Sequence, residues 1–312
     1  MQESPLGVGH APGKIILFGE HAVVYGRPAI AVPLTQVQAH AEVFPHSRCV
    51  VEAVDLGRRV DVAEATADDP FALVVRLTCA AAARELPPWR IVVHSEIPIA
   101  SGLGSGAAIS AAIARALLDA WDVLLSPAEL SRLVYEVEKL HHGTPSGIDN
   151  TVVVYATPVW FVKGAEPEPF HIGSPMHFLI ADTGVASPTR LTVSAVRAAW
   201  EQNRARYEAL FDRIGAVATA AREAIEQGDV RQLGSLMDRN QALLAELQVS
   251  SPELDRLCRA AREAGALGAK LSGGGRGGNM IALVEPVAVE RVAHTLRRAG
   301  AVRVLSTLLG DR

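Results

Sequence analysis

Residues 138–154, EKLHHGTPSGIDNTVVV, place one acid, Glu138, at the end of a predicted helix and a second, Asp149, directly before a predicted strand at 151–155. The turn between them is rich in Gly, Pro and Ser, so it can hold two carboxylates near one another on different elements. Phosphoryl transfer requires such an arrangement, with one acid for a metal ion and another at the attacking hydroxyl group. The alternative is a helix C-terminus that carries two solvated acids. This segment alone does not decide between the two interpretations.

The composition predicts a soluble, cytoplasmic protein without a nucleic-acid or membrane partner. Hydrophobic residues make up 49% of the 312 residues, enough for the cores of two domains or of one large domain. The net charge of −4 offers no general attraction for nucleic acid or for an acidic membrane surface. The three cysteines form no CxxC pair, and the N-terminus lacks the pattern of a signal peptide. No apolar run approaches the roughly 18 residues that cross a bilayer.

Hydrophobic spacing predicts a chain that mixes strands and helices. In the first half, the predicted strands are 14–18, 28–34, 37–44, 50–54 and 91–97, and the predicted helices are 70–85, 107–121 and 126–141. In the second half, the predicted strands are 177–182, 279–285 and 301–308, and the predicted helices are 189–227, 230–248, 252–265 and 286–299. Ser126 and Glu129 form a predicted capping box. The polar, proline-rich segment 163–175 predicts a boundary between domains 1–170 and 171–312.

Two glycine-rich segments are candidates for binding phosphate. PIASGLGSGAA (98–108) joins a strand to a buried helix, where glycines permit close approach and free amides favour an anion. It is not a Walker A loop, because no Lys-Ser/Thr pair follows. KLSGGGRGG (270–278) matches GxGxxG formally, but a strand follows where a dinucleotide site requires a helix. The structural alternatives are a closely packed turn for the first segment and a flexible hairpin for the second.

Single charged or polar residues add to this pattern. Lys14 follows a Pro-Gly turn at the mouth of a predicted buried strand. A cation there can neutralise charge on a transferred phosphoryl group, although a surface lysine is the commoner outcome. His21 can bind a small polar substrate or serve as a satisfied structural histidine. The adjacent His141 and His142 point in different directions on a helix and make a poor metal pair. Local reasoning therefore predicts an enzyme that handles phosphate.

Together these segments resemble three motifs of the GHMP kinase superfamily, and within it of the mevalonate kinases. The first motif is APGKIILFGEHAVVYGRPAIAVPL (11–34). The second is IPIASGLGSGAA (97–108) with its companion HGTPSGIDN (142–150), and the third is KLSGGGRGG (270–278). The motifs occur in the family's order and span nearly the whole chain. GEHAVVYG is the most specific of these pieces.

The resemblance implies an α+β two-domain GHMP kinase fold. The N-terminal domain would be like domain 2 of ribosomal protein S5 and carry the ATP phosphate loop, and a ferredoxin-like C-terminal domain would close the substrate cleft. The implied activity is ATP-dependent phosphorylation of (R)-mevalonate to 5-phosphomevalonate in isoprenoid biosynthesis. The implied cofactors are ATP and Mg²⁺, the implied small-molecule partner is mevalonate, and a homodimer is common among relatives.

The resemblance also implies roles for individual residues. Lys14 and Asp149 would be catalytic at the mevalonate C5 hydroxyl group, with Asp149 as base or orienting acid and Lys14 stabilising charge. Glu138 and Ser105 would hold Mg²⁺. The residues that would bind the ATP phosphates are Pro98, Ser101, Gly102, Leu103, Gly104, Ser105, Gly106 and Ala107. The residues that would bind the substrate are Glu20, His21, Ser146, Gly147, Thr189, Lys270, Gly273 and Gly274.

The chain departs from the family pattern at three positions. Gly106 stands where the family has a second serine that binds magnesium, so we expect Glu138, ATP oxygens and water to suffice for the metal. Ser187 stands where many relatives have an arginine that meets the substrate carboxylate, and Arg190 or Arg197 is a candidate to replace it. Arg276 stands in place of a usual glycine, and we expect its side chain on the solvent side of the loop.

Two other functions remain open at the level of sequence. One is a kinase of the same fold that acts on another small hydroxylated molecule, such as a sugar or a mevalonate phosphate. The other is a non-catalytic nucleotide- or metabolite-binding relative, for which Gly106 is the only argument. The joint retention of Lys14, Glu138 and Asp149 speaks against it, because buried charges are costly in a site without function.

Overall fold

The computed structural model describes residues 4–98, 102–142, 145–187 and 189–310, without the side chains of His141 and His142. The described residues form two compact units that are interleaved along the chain. The first unit contains described residues of 4–14, 33–98 and 103–156, and the second contains those of 15–32, 102 and 157–310. The division of function between domains 1–170 and 171–312 stays a prediction.

The first unit combines a sheet with four α-helices among its described residues. Its strands are β1 (Gly7–Phe18), β2 (Ala29–Pro45), β3 (Val50–Ala53), β4 (Arg58–Asp61) and β5 (Trp89–Ser95), of which β1 and β2 continue into the second unit. Its helices are α1 (Pro70–Ala81), α2 (Ser105–Ala120), α3 (Pro127–His142) and α4 (Ile148–Tyr155). The strands lie in the order β4-β3-β5-β2, and β1 pairs with β2. The β3–β5 pair is parallel, and the β3–β4 and β2–β5 pairs are antiparallel. Helix α2 packs on β5, and each of the other three helices packs on α2.

The second unit contains an antiparallel sheet in the order β11-β8-β10-β9. Its strands are β6 (Val159–Phe161), β7 (Glu168–Pro169), β8 (Met176–Asp182), β9 (Gly268–Ser272), β10 (Asn279–Val284) and β11 (Arg303–Leu309). Its helices are α5 (Thr189–Gln202), α6 (Arg204–Gln227), α7 (Val230–Glu246), α8 (Pro252–Glu263) and α9 (Val289–Arg298). Helices follow β8 and β10, which is the split β-α-β arrangement of ferredoxin-like folds. The start of β2 pairs with β6, and β6 pairs with β7.

Helix α2 is rich in small residues and largely buried, as its sequence predicts, and β1 lies directly against it. A Cβ atom at Gly9 would lie 2.1 Å from the carbonyl oxygen of Ala112, and one at Gly7 would lie 2.4 Å from that of Ala116. Real Cβ atoms do not approach backbone so closely, so these positions require glycine. The small residues of α2 and the glycines of β1 together place the strand that carries Lys14 against the helix of the predicted phosphate loop.

The predicted strand at 151–155 is wrong, because these residues form most of α4. β-Branched residues such as Val152 and Val153 lower helix propensity by only a few tenths of a kcal/mol. Both are fully buried, and packing on α2 and α3 outweighs that preference. Gly147, with a φ of 94°, is the N-cap residue of the helix. Asp149 consequently lies in the first turn of a helix, where the macrodipole favours a carboxylate.

Other boundaries also differ from the sequence predictions. The predicted strands 28–34 and 37–44 are one strand, β2. The sequence predicts two strands because the residues at 35 and 36 are polar and exposed. The hydrophobic spacing does not predict strands β4, β6, β7 and β9. The capping box is confirmed, since Ser126 N donates to Glu129 Oε2 at 2.8 Å and Glu129 N donates to Ser126 Oγ at 3.3 Å. None of the described helices is long and apolar enough to span a membrane.

Candidate active site

Lys14 and Asp149 form an ion pair in the first unit. Nζ of Lys14 lies 3.0 Å from Oδ2 of Asp149. Lys14, in β1, is 2% exposed, so it is not the surface lysine that the sequence also allowed. Asp149 keeps 29% of its side chain exposed. A buried cation is therefore held by a carboxylate that ligands can reach.

The aliphatic part of the Lys14 side chain lies against the start of α2. A Cβ atom at Gly104 would lie 2.8 Å from Cγ of Lys14, and the backbone N of Lys14 donates to Leu103 O at 2.9 Å. Gly104, with a φ of 77°, is the N-cap residue of α2, so residues 105–107 form its first turn. The first backbone N–H groups of a helix have no intrahelical acceptor and attract anions. The structure thus brings the predicted phosphate loop into contact with the predicted catalytic lysine.

The rest of the predicted phosphate loop is more exposed. Gly102 is exposed with a φ of 82°, whereas Pro98 is half-buried. Ser101 lies outside the described residues. Phosphate binding by residues 98–107 stays a prediction.

Glu138 lies on α3 and Asp149 on α4, and a hydrogen bond connects the two helices. Glu138 is buried near the end of α3. Nδ2 of Asn150, in α4, donates to Ser131 Oγ in α3 at 2.8 Å. Ser146 Oγ accepts from the backbone N of Ile148 at 3.4 Å and so shapes the start of α4. Among the described residues, no three His, Cys, Asp or Glu side chains form a cluster able to hold a metal ion.

Two of the predicted substrate residues form a buried ion pair in the second unit. Nζ of Lys270 donates to Glu20 Oε1 and to Leu271 O, the latter at 2.6 Å. Nδ2 of Asn240 donates to Glu20 Oε2 at 3.2 Å. Burial lowers the pKa of Lys270, and the Glu20 carboxylate opposes part of that shift. Glu20 and Lys270 therefore hold one another inside the unit, and their contact with substrate stays a prediction.

His21 is bound to the glycine loop at residues 273–278. Its Nε2 lies 3.1 Å from the carbonyl oxygen of Gly274. Burial lowers the pKa of His21 to about 4, so the ring is neutral at neutral pH. Because a carbonyl oxygen only accepts, Nε2 carries the hydrogen and Nδ1 is left as an acceptor. His21 also has a φ of 61°, a strained conformation for a residue with a side chain.

The glycine loop connects β9 to β10 as a hairpin, in agreement with the structural alternative for this segment. A Cβ atom at Gly274 would lie 2.4 Å from Thr189 Oγ1, at the start of α5. Gly273 has a φ of 87°, and a Cβ atom at this position would lie 3.9 Å from the carbonyl oxygen of Gly102. The structure therefore brings Thr189, Gly273, Gly274 and His21 together, whereas their binding of substrate stays a prediction.

The residues that depart from the family pattern also have defined contacts. Ser187 Oγ donates to Gly275 O at 2.9 Å, so this side chain fastens the glycine loop. Nε of Arg276 lies 3.3 Å from Gln248 O, and the residue is half-buried. Arg197 pairs with Glu201 at 3.2 Å on an exposed helix face.

Sequence reasoning missed the side chains that complete the edge strand β9. Ala269 N donates to Asp238 Oδ1 at 3.0 Å, and Leu271 N donates to Gln241 Oε1 at 2.8 Å. Nη1 of Arg262 donates to Ala269 O at 3.1 Å. These side chains of α7 and α8 take the place of a neighbouring strand and fix the strand that enters the glycine loop.

Arg115 was missed as well. It donates from Nη1 to His10 O at 2.6 Å and from Nη2 to Val154 O at 2.7 Å. The available signal was the one basic residue within the small apolar run of α2.

Comparison with known proteins identifies relatives along the whole chain. A family model described as "GHMP kinases N terminal domain" matches residues 71–157, and one described as "GHMP kinases C terminal" matches residues 221–302. The chain is 33% identical over 319 residues to a mevalonate kinase of Thermococcus sibiricus, with 96% of this chain and 95% of the relative covered.

Two solved structures share the architecture. The structure of L. major mevalonate kinase in complex with R-mevalonate superposes with a TM-score of 0.84 at 26% identity, covering 97% of this chain and 95% of that one. The structure of Methanococcus jannaschii mevalonate kinase superposes with a TM-score of 0.85 at 24% identity, covering 99% of each chain.

Proposed function

Because the chain belongs to the mevalonate kinases within the GHMP kinase family, we propose that it transfers the γ-phosphoryl group of ATP to the C5 hydroxyl group of (R)-mevalonate. The product is 5-phosphomevalonate, an intermediate of isoprenoid biosynthesis. ATP use follows from the kinase family. The observation that carries the proposal is the Lys14–Asp149 ion pair at the start of α2.

The first unit supplies the groups for the transfer step. The half-buried carboxylate of Asp149 accepts the hydrogen bond of the substrate hydroxyl group and aims the hydroxyl oxygen at the γ-phosphorus, as base or as orienting acid. The new bond joins that oxygen to phosphorus, and the bond from phosphorus to the β,γ-bridging oxygen breaks, which releases ADP. The hydroxyl proton passes to Asp149 if Asp149 acts as the base, and to water if it only orients the hydroxyl group. The Lys14 ammonium group pairs with Asp149, and its aliphatic chain lies against Gly104 of the phosphate loop. From this position the ammonium group stabilises the charge that develops on the phosphoryl oxygens.

The second unit supplies the groups for substrate recognition. Nδ1 of the neutral His21 accepts a hydrogen bond from a substrate hydroxyl group, since Nε2 is committed to Gly274. Thr189 supplies a hydroxyl group for the same ligand, and the loop at Gly273 and Gly274 supplies backbone groups beside it. Glu20 and Lys270 form a buried pair that holds β9, the strand that leads into this loop. Ser146 and Gly147 shape the turn before α4, the helix that carries Asp149.

The donors in the first unit fit Mg²⁺. Glu138 and Ser105 offer a carboxylate and a hydroxyl group, the hard oxygen ligands that this ion prefers. Mg²⁺ usually takes only one or two carboxylates and completes its shell with phosphates and water, so Gly106 need not supply a ligand. When bound, the ion supplies positive charge to the ATP phosphates. We further place the enzyme in the cytoplasm, as a homodimer.

A substrate panel tests the proposal. Purified protein with ATP and Mg²⁺ is assayed for ADP release with mevalonate, 5-phosphomevalonate, galactose and no acceptor. We expect mevalonate-dependent ADP release with a kcat of about 1–100 s⁻¹, as kinases show, and 5-phosphomevalonate as the product by mass spectrometry. A kcat/KM that is higher for a sugar or for a mevalonate phosphate would make the protein a different kinase of this fold. Nucleotide binding without turnover of any acceptor would make it a non-catalytic relative.

A further inference from the structure

Helix α2 and the loop that leads into it hold β1 through three contacts along the strand. Val8 N donates to Asp119 Oδ2 at 2.8 Å, and His10 O accepts from Arg115 Nη1 at 2.6 Å. Farther along the strand, Lys14 N donates to Leu103 O at 2.9 Å. The glycines of β1 let the strand approach the helix closely enough for these bonds. The strand that carries Lys14 therefore has one defined register on the helix of the phosphate loop.

Arg115 also holds α4, the helix that carries Asp149. Its second terminal nitrogen, Nη2, donates to Val154 O at 2.7 Å, in the last turn of α4. Carbonyl groups in the last turn of a helix lack intrahelical donors, and the macrodipole there favours a cation. Since α4 has eight residues, a bond at its last turn restrains the whole helix, including Asp149 in the first turn.

One guanidinium group thus connects three elements. Arg115 belongs to α2, and its two terminal nitrogens bind β1 four residues before Lys14 and α4 five residues after Asp149. A planar guanidinium group offers two donors at fixed spacing, which a lysine cannot reproduce. Asp119, one turn farther along α2, binds β1 and has no bond to α4 among the described residues.

We propose that Arg115 is a positioning residue for the phosphoryl transfer, which sets the Lys14–Asp149 pair relative to the start of α2 by holding β1 and α4 at once. The inference rests on the proposed function, because the pair acts in that reaction. A displacement of reacting groups by about 1 Å can cost about 10²-fold in rate. Loss of the clamp should therefore lower kcat more than it weakens binding.

The kinetic test compares Arg115→Met with Asp119→Ala at a temperature well below both melting points. We expect Arg115→Met to lower kcat by about 10- to 100-fold and to leave KM for ATP and mevalonate within about threefold of wild type. Asp119→Ala removes a contact between the same helix and strand, and its kcat should stay within about twofold of wild type. A wild-type kcat for Arg115→Met, or equal losses in the two variants, would overturn the proposal.

Chemical rescue separates positioning from general stability. Arg115→Ala removes a group of the size of ethylguanidinium, so this cation should raise kcat of that variant toward wild type and should leave Asp119→Ala unchanged. Arg115→Lys keeps the charge without the fork, and its kcat should fall between those of Arg115→Met and wild type. Absence of rescue in a folded Arg115→Ala protein would contradict the clamp.

Hydrogen exchange tests the positioning role of Arg115 independently of the proposed kinase activity. If wild type does not turn over mevalonate in the panel above, the proposed function fails, and the clamp is judged by amide exchange alone. Exchange at residues 148–155 should rise by about tenfold or more in Arg115→Met and stay near wild type in Asp119→Ala, because loss of a hydrogen bond makes local opening of the helix more frequent. Unchanged exchange of α4 in Arg115→Met would overturn the inference whatever the substrate is.

Discussion

At the scale of single residues, the ion pair at the centre of the account joins positions that are far apart in the chain. Lys14 and Asp149 each stand in a recognisable motif, so both were predicted as site residues. The distance of 3.0 Å between their charged groups depends on how β1 and α4 pack on α2, which no local pattern contains. The Glu20–Lys270 pair joins residues 250 positions apart, and the sequence showed both residues without showing their contact.

His21 makes stability depend on pH. Its pKa is about 4 in the folded protein and 6.5 in the unfolded chain, because burial disfavours the charged ring. Above pH 6.5 both states are neutral. Below that pH the unfolded state binds a proton that the folded state refuses, so the free energy of unfolding falls as the pH drops from 6.5 toward 4. The full loss is about 3 kcal/mol.

The measurement is urea unfolding of wild type and His21→Asn at pH 7.5, 5.5 and 4.5. Asparagine has no titrating group, so the gap in unfolding free energy between the two proteins should change by about 1–3 kcal/mol in favour of the variant as the pH falls. Parallel pH profiles for the two proteins would show that His21 titrates normally.

At the scale of elements, the sequence predicted most helices and strands but misjudged α4. The run at 151–155 has the β-branched composition of a strand, and its burial among α2 and α3 makes it a helix. Strand β9 was missed for a related reason. Its partners on the open edge are side chains of α7 and α8 rather than a strand, and such pairings leave no periodic signal.

The close contact between β1 and α2 gives a prediction of its own. Gly9→Ala would place a Cβ atom 2.1 Å from Ala112 O, so strand and helix must separate. We expect a loss of about 2–4 kcal/mol in the free energy of unfolding, in the range of severe packing defects. Gly164→Ala is the matched control, because nothing lies within 4 Å of its Cβ atom. Its φ of 88° should cost only about 1–2 kcal/mol.

The measurement is the free energy of unfolding of the two variants and of wild type, determined by urea denaturation. A loss for Gly9→Ala no larger than that for Gly164→Ala would mean that β1 does not lie against α2 as closely as described.

At the scale of the whole molecule, the expected α+β two-domain GHMP kinase fold is confirmed. Composition and periodicity alone reach only an α+β chain that handles phosphate. The order of three motifs, spread over nearly the whole sequence, supplies the family, because each motif combines glycines with charged residues at fixed positions. The interleaving of the units is beyond such reasoning, since it follows from the paths of β1 and β2 through both units.

The central claim is that Asp149, paired with Lys14, acts on the hydroxyl group that receives the phosphoryl group. Asp149→Asn keeps the shape of the side chain and removes its charge, so the most direct measurement is kcat for mevalonate together with Kd for ATP in this variant. We predict that kcat falls by about 10²- to 10⁴-fold while Kd for ATP stays within about threefold of wild type. A kcat within about threefold of wild type would contradict the account.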